Sequence, residues 1–409
     1  MNKFFSESNV YIFTWMIYML QGVLYETGSV YSQALFVFIL LMSFRCVYEL
    51  LHFYRIPKFL KYSGMFAFIL FIYGFVYFIT GKTYKIQDQD AEIQSFSYIK
   101  QILCSFLPIF SCYYYSLRGK ISINQLKSWS IIFICVAIAV YYKNYYMNLA
   151  MAVLNGSDRV EFVNNSGYMF VSIIPLLLIW KDKKIVQHIL LLICCAFVLV
   201  SMKRGAILCA IPCVYLFMKK SIKYASLREK RIIVMFTVII IVAVLYLINY
   251  MEANSELFMD RVLATKEGQV SRRDIIYLEL LNASYNRNLF YMLLGEGANA
   301  TLLHTQNFAH NDWLELLIDT GLFGVILYIG YWVNFNKLRL RSRGLDIENS
   351  AITIYFIFFL LRTFFSMSYS DIPIFASIPL GYFIYNIYSF SNLKNKLVYV
   401  KDKNFFRTV

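Results

Sequence analysis

Residues 232–250 read Ile-Ile-Val-Met-Phe-Thr-Val-Ile-Ile-Ile-Val-Ala-Val-Leu-Tyr-Leu-Ile-Asn-Tyr, a run without a charged side chain. A run of this length predicts a helix that crosses the roughly 30 Å of bilayer hydrocarbon. Similar runs recur along the chain, in which 59% of the 409 residues are hydrophobic and 15% are charged. Soluble domains are only about half apolar and about a quarter charged. The sequence therefore predicts an all-α polytopic membrane protein, with residues 1–409 forming a single integral membrane domain.

About twelve membrane spans are predicted from these runs. Lysine and arginine collect in every second short connection, for example 55–61, 118–127 and 181–184, and in the tail 394–407. Because cytoplasmic loops are enriched in these residues, both termini are expected in the cytoplasm and the protein in the cytoplasmic (inner) membrane as a multi-pass protein. Lys203 and Arg204 break the pattern, since they lie in a short outer turn. The predicted spans are 9–25, 30–50, 59–80, 96–117, 126–146, 166–180, 185–201, 205–218, 232–250, 313–335, 350–368 and 374–390.

The formal net charge of +15 does not predict nucleic-acid binding. The basic residues lie in short loops between apolar runs, and no basic stripe on a folded domain is present. The eight cysteines all fall within or beside apolar runs, so neither a disulfide framework nor a cysteine metal site is predicted. No metal or cofactor is expected.

One long polar segment, residues 251–312, joins the ninth and tenth predicted spans on the outer side. It is too long for a plain connector. Within it, residues 274–281 (Asp-Ile-Ile-Tyr-Leu-Glu-Leu-Leu) place apolar side chains at helical spacing. This spacing predicts an amphipathic helix on the outer membrane surface or on the bundle. The segment ends in residues 308–315 (Phe-Ala-His-Asn-Asp-Trp-Leu-Glu), a polar cluster at the membrane boundary, where it can meet both water and lipid-anchored substrates.

Three outer features carry side chains that suit phosphate chemistry: Arg204, the pair Arg272 and Arg273, and His310. A guanidinium group stays charged and donates hydrogen bonds in a planar fork. A histidine can take a proton from a hydroxyl near neutral pH. Each feature has a structural alternative. Arg204 can be a helix-end residue whose charge reaches the interface, the pair can be surface charges of the amphipathic helix, and His310 can open a helix cap.

Arg362 lies inside the apolar eleventh span, where an unpaired cation costs at least about 2.5 kcal/mol on insertion scales. It is therefore expected to face the interior of the bundle. There it joins the phosphate site as a substrate-binding residue, or it forms a structural ion pair with Asp371 or Asp319.

Four motifs follow one another in the second half of the chain. They are Ser-Met-Lys-Arg-Gly-Ala at 201–206, Ser-Arg-Arg-Asp-Ile-Ile-Tyr at 271–277, Gly-Glu-Gly at 295–297, and Ala-His-Asn-Asp-Trp-Leu-Glu at 309–315 with Gly-Leu-Phe-Gly at 321–324. In this order they resemble the superfamily of O-antigen ligases and Wzy-type O-antigen or capsular polysaccharide polymerases. The resemblance covers residues 201–331, the family-like catalytic core region, and the first half matches only in hydropathy.

The resemblance implies a glycosyltransferase with one large periplasmic or extracellular loop. Such an enzyme moves glycan from an undecaprenyl diphosphate carrier to a hydroxyl without nucleotide or metal. It implies that Arg204 and a loop arginine bind the diphosphate and that His310 helps to activate the acceptor. The usual motif has a small residue before the loop arginine, so Arg273 aligns better and Arg272 replaces that residue. Either of the two can contact phosphate.

Asn311, Asp312 and Glu315 follow His310 closely and are assigned to the same site. One interpretation is that Asn311 or Asp312 caps the tenth helix by accepting from its first amides. The other is that these residues bind substrate, with Asp312 and Glu315 orienting His310 or binding sugar hydroxyls.

The predicted function is a polymerase that joins undecaprenyl-diphosphate-linked oligosaccharide repeat units of O-antigen or capsule. A ligase that hands glycan to lipid A core or another acceptor uses the same motifs, and the very aromatic first half favours the polymerase. A lipid-linked glycan transporter or flippase is the second alternative. Transporters place ionisable residues near mid-membrane, whereas the suggestive ones here collect on the outer side. Expected partners are the lipid-linked oligosaccharide, membrane lipid, a chain-length regulator and a flippase, but no nucleic acid.

Overall fold

The computed structural model describes residues 6–81, 84–85, 92–93, 95–154, 164–223, 225–254 and 273–405. These residues are almost entirely helical, apart from a two-stranded antiparallel ladder that pairs β1 (Tyr84–Lys85) with β2 (Glu92–Ile93). Arg272 lies outside the described residues. The helices are α1 Glu7–Met19, α2 Val30–Phe53, α3 Lys58–Thr80, α4 Ser95–Leu117, α5 Ile123–Leu154, α6 Gly167–Ile173, α7 Lys184–Val200, α8 Arg204–Lys223, α9 Leu227–Asn254, α10 Arg273–Tyr285, α11 Leu289–Leu294, α12 Thr301–Thr305, α13 Asp312–Asp319, α14 Gly321–Arg341, α15 Asp346–Phe365 and α16 Ile374–Phe405.

Five of the described helices are long and apolar enough to cross a membrane: α2, α3, α5 over its first 28 residues, α8 and α15. Two shorter apolar helical stretches, Gly167–Trp180 and Lys184–Val200, accompany them. The prediction of an all-helical, multi-pass membrane protein is thereby confirmed. Each of the twelve apolar runs contains helix, although α1 ends at Met19, before the end of the first predicted span, and twelve crossings remain a prediction.

Two of the predicted spans are not uniform α-helices. Residues 166–180 change from α6 into a 3₁₀ helix, Ile174–Trp180, that has a proline in its first turn. The predicted span 313–335 is broken between α13 and α14. At the break Gly321 has φ +64°, and a Cβ atom there would lie 2.5 Å from the Leu293 carbonyl carbon. The tight approach of α11 therefore requires glycine, and the chain turns at this point.

Close backbone packing also fixes the segment between α15 and α16. A Cβ atom on Gly381 of α16 would lie 2.5 Å from the Ile109 carbonyl oxygen of α4. Beside this contact the Ser105 hydroxyl of α4 donates to the Ser370 carbonyl at 2.8 Å and accepts from the Ile372 amide at 2.9 Å. The segment that holds Asp371 is therefore tied to α4, a helix far away in the sequence.

The predicted helix at 274–281 is confirmed, since it lies within α10. Its residue Leu280 packs in a small cluster with Ala300, Ala309 and Ile318, separate from the main core. Arg287, just after α10, donates to the Ile318 carbonyl at 3.2 Å. The outer segment thus folds onto the C-terminal end of α13 and holds the residues before His310 in place.

Candidate functional site

His310 has a left-handed backbone conformation, with φ +53°. Non-glycine residues adopt this region at a cost of about 1–3 kcal/mol, and such residues cluster at functional sites. The His310 amide donates to Glu315 Oε1 at 3.3 Å. Neither ring nitrogen of His310 has a hydrogen-bond partner within the described part of the chain. The ring nitrogens of His310 are therefore available for proton transfer and are not used to stabilise the fold.

Asn311 is the N-cap of α13. Its side-chain oxygen accepts from the Trp313 amide at 3.0 Å and from the Leu314 amide at 3.4 Å. The capping interpretation of this residue is therefore confirmed. The capped helix begins directly after His310. The cap therefore fixes the position of the His310 backbone relative to α13.

Asp312 and Glu315, two of the three carboxylates of α13, are fully buried. Glu315 accepts from the Thr301 hydroxyl at 2.8 Å as well as from the His310 amide. Asp312 accepts from the Tyr328 hydroxyl at 2.5 Å and from the Ser368 amide at 2.7 Å. Glu315 thus connects the His310 backbone to α12, and Asp312 connects the start of α13 to α14 and to the residues that follow α15. Both carboxylates therefore hold the backbone around His310 in place.

The electrostatic environment of His310 keeps its imidazole neutral. Burial, with the positive charges of Arg273 and Lys203, lowers the pKa of His310 to about 4. The histidine is therefore in its unprotonated, proton-accepting form at neutral pH. Lys203 and Arg273 belong to the first two of the four predicted motifs. The fold brings these motifs close to His310, which belongs to the last one.

Arg204 is the first residue of α8 and is exposed. The turn before it contains Met202, another residue in the left-handed region at φ +52°. At the next position, a Cβ atom on Gly205 would lie 2.1 Å from the Tyr168 hydroxyl oxygen. Glycine at 205 is therefore required by the close approach of Tyr168, and Arg204 begins α8 one residue before this contact.

Arg273 begins α10 and is partly buried. Its positive charge, after burial, contributes to the lowered pKa of His310. The position of this arginine agrees with its prediction as the loop arginine of the site. The other candidate, Arg272, falls outside the described residues.

Arg362 is 2% exposed and pairs with Asp371. Its Nη2 donates to Asp371 Oδ2 at 2.6 Å, and its Nη1 donates to the Asp371 carbonyl. The guanidinium also lies over the Tyr168 ring, 4.9 Å from its centroid. The predicted pairing with Asp371 is confirmed, whereas Asp319 accepts from the Asn299 amide instead. Arg362 Nε is buried and has no hydrogen-bond partner among the residues that the structure describes.

A cavity of about 520 Å³ joins these groups. Its wall includes His310, Arg362, Asp371 and Tyr168, together with polar residues from α1, α4 and α5. The lining segments come from helix ends and connections that the charge pattern predicts to lie on the outer side. The other predicted site residues within the described ranges are not part of the wall; Arg204 and Arg273 lie near it through Tyr168 and His310.

Several wall residues were not predicted from the sequence, among them Lys100, Asn144, Asn165 and Tyr168. Lys100 and Asn144 each stand inside a predicted apolar span, where a polar side chain is costly and usually functional. The argument that singled out Arg362 applies to them too, and it was the only indication in the sequence. Asn165 and Tyr168 carry no such indication.

Comparison with known families matches residues 189–329, about a third of the chain, to the family described as O-Antigen ligase. The matched region contains Arg204, Arg273, His310 and the glycines at the α13–α14 break. No curated protein matches the chain in sequence.

Proposed function

We propose that this chain, which residues 189–329 place in the O-antigen ligase and Wzy superfamily, is a polysaccharide polymerase. It joins lipid-linked oligosaccharide repeat units on the outer face of the cytoplasmic membrane. The observation that carries the proposal is the neutral, strained His310 on the wall of a cavity that polar and apolar residues line together, with cationic side chains near it.

The proposed reaction is glycosyl transfer from a polyprenyl diphosphate carrier. The oxygen of an acceptor hydroxyl forms a bond to the anomeric carbon of the donor glycan, and the bond from that carbon to the diphosphate breaks. His310 takes the hydroxyl proton, and the electron pair of the broken bond leaves with the diphosphate. Such a donor is already activated, so the enzyme mainly positions the reactants and stabilises the leaving charge.

Arg204 and Arg273 are assigned to the leaving diphosphate because guanidinium groups match the geometry of phosphate oxygens. Removal of one such group is expected to lower the rate by about a hundredfold to a thousandfold, as for single oxyanion donors. Arg272 stays an alternative to Arg273 for this contact. Arg362 lines the cavity and is assigned to substrate binding, with its charge balanced by Asp371. Asn311, Asp312 and Glu315 position His310.

The number of spans, their orientation and the partners of the protein are part of the same proposal. About twelve spans with cytoplasmic termini place the cavity at the outer surface of the inner membrane, within reach of lipid-linked donors. A flippase delivers these repeat units to that surface, and a chain-length regulator sets the polymer length. No nucleotide or metal takes part in the transfer.

A ligase is the second candidate, and the description of the matched family favours it. Polymerase and ligase share the donor and the leaving group and differ only in the acceptor. A transporter is the third candidate and predicts no covalent product. The acceptor that is consumed distinguishes the polymerase from the ligase. The lack of a covalent product distinguishes the transporter from both.

The test is incubation of the purified protein with its lipid-linked repeat unit alone, without nucleotide or metal, followed by a gel of the glycolipids. A ladder of multiples that disappears in His310→Ala supports the polymerase. Transfer that requires added lipid A core identifies a ligase. No transfer under either condition, by a folded protein, refutes both enzymatic functions. Lys127→Met is the matched control, because Lys127 pairs with Asp182 at the cytoplasmic side at 2.6 Å.

A further inference from the structure

One wall of the cavity comes from parts of the chain outside the family match. It contains Gln21 after α1, Lys100 and Gln101 of α4, Asn144 of α5 and Asn165 before α6. Amide groups both donate and accept hydrogen bonds, as sugar hydroxyls require. The matched region supplies His310 and the cations near it. The cavity therefore has a reaction side and a second side with groups for recognition.

Lys100 is a charged residue on this recognition wall. Its Nζ lies 5.3 Å from the centroid of the Tyr18 ring and 5.7 Å from that of the Phe36 ring. Within the described part of the chain it forms no ion pair with a carboxylate. Aromatic faces stabilise an ammonium group by about 0.5–2 kcal/mol but leave its charge in place.

The charges of the wall do not balance. Lys100 and Arg362 contribute two positive charges, and Asp371 contributes one negative charge that is held by Arg362 at 2.6 Å. Lys100 thus faces the cavity as the cation without a carboxylate partner among the described wall residues. In surroundings of low dielectric constant, such a charge attracts an anion strongly.

We infer that Lys100 binds an anionic group of the substrate and gives the enzyme a preference for acidic glycans. The inference rests on the proposed function. The anion has two sources, a carboxylate on a sugar of the repeat unit or the diphosphate of the carrier. The sugar carboxylate fits better, because Lys100 shares the cavity lining with amide side chains outside the matched region, whereas the arginines assigned to the diphosphate lie inside it.

The experiment compares wild type, Lys100→Met, Lys100→Arg and the control Lys127→Met on the lipid-linked repeat unit of the source strain. Lys100→Met is expected to raise KM by about tenfold or more while kcat stays within about twofold, because one charge contact in a partly buried site is lost. Lys100→Arg is expected to restore most of the affinity, since it keeps the charge. Size-exclusion profiles check that each variant is folded.

Two further arms identify the source of the anion. If the anion is a sugar carboxylate, reducing the carboxylates of the repeat unit to alcohols raises KM for wild type but not for Lys100→Met. If it is the diphosphate, free undecaprenyl diphosphate inhibits wild type more strongly than Lys100→Met. Unchanged KM in a folded Lys100→Met, with active wild type, overturns this inference alone. An inactive wild type overturns the proposed function as well.

Discussion

Glu315→Gln tests whether the catalytic histidine is held by a buried carboxylate. Glu315 accepts from the His310 amide at 3.3 Å and from the Thr301 hydroxyl at 2.8 Å through different oxygens. Glutamine has one acceptor oxygen, so one of these donors loses its acceptor. A hydrogen bond to a charged group contributes about 1.5–3 kcal/mol, comparable with the about 1–3 kcal/mol cost of the left-handed His310 backbone. The fraction of protein with His310 correctly held should fall by about tenfold to a hundredfold.

The assay is the initial rate of carrier diphosphate release as a function of substrate concentration. We expect kcat to fall by about tenfold to a hundredfold while KM changes by less than about threefold, because the effect is on the position of the base and not on binding. Thr301→Val should have a smaller effect, since it leaves the His310 amide paired. Glu279→Gln, at an exposed position of α10, is the matched control. A folded Glu315→Gln with the wild-type kcat would show that Glu315 does not hold His310 in its catalytic position.

The remaining predictions concern the helix cap, the motif glycine and the pH dependence. Asn311→Ala removes the acceptor of two amides, and a lower Tm, by about 1–3 °C for a loss of about 1 kcal/mol, is expected in thermal unfolding; an unchanged Tm would show that the cap does not stabilise the fold. Gly205→Ala places a Cβ atom 2.1 Å from the Tyr168 hydroxyl oxygen and should lower the free energy of unfolding by about 1–3 kcal/mol. Adding Tyr168→Phe should recover part of this loss, because it removes the hydroxyl. A double variant no more stable than Gly205→Ala would contradict the contact. Burial, Arg273 and Lys203 together lower the pKa of His310 to about 4. Lys203→Gln removes one of these two cations, so this pKa should rise and the acid limb of kcat/KM should move to higher pH. A limb that stays in place or moves to lower pH would contradict the assignment of His310 as the base.

The parts of the site that neighbouring residues determine were predictable from the sequence. Asn311 follows the N-cap preference and caps α13. Arg362 in an apolar span had to be paired, and its partner Asp371 lies only nine residues further on. The amphipathic helix after Arg273 was visible in the spacing of its apolar residues. In each case the interaction is short in sequence, so local rules describe it.

The cavity was not predictable, because its walls meet only through long-range packing. Lys100 and His310 are more than two hundred residues apart, and no local pattern brings them to one cavity. Acidic residues in a first helical turn normally face solvent as helix-dipole partners, which hid the burial of Asp312 and Glu315. The break at Gly321 was also missed, since its cause is the approach of α11 and not the hydropathy of 313–335.

Release of carrier diphosphate by the purified protein, compared between wild type and His310→Ala, decides whether His310 takes part in the transfer. We expect wild type to release one carrier for each linkage formed. We also expect release to be slower by about a hundredfold or more in a folded His310→Ala, which loses the proposed base at the cavity wall. Equal rates of release in the two proteins would contradict the claim that glycan transfer takes place at His310.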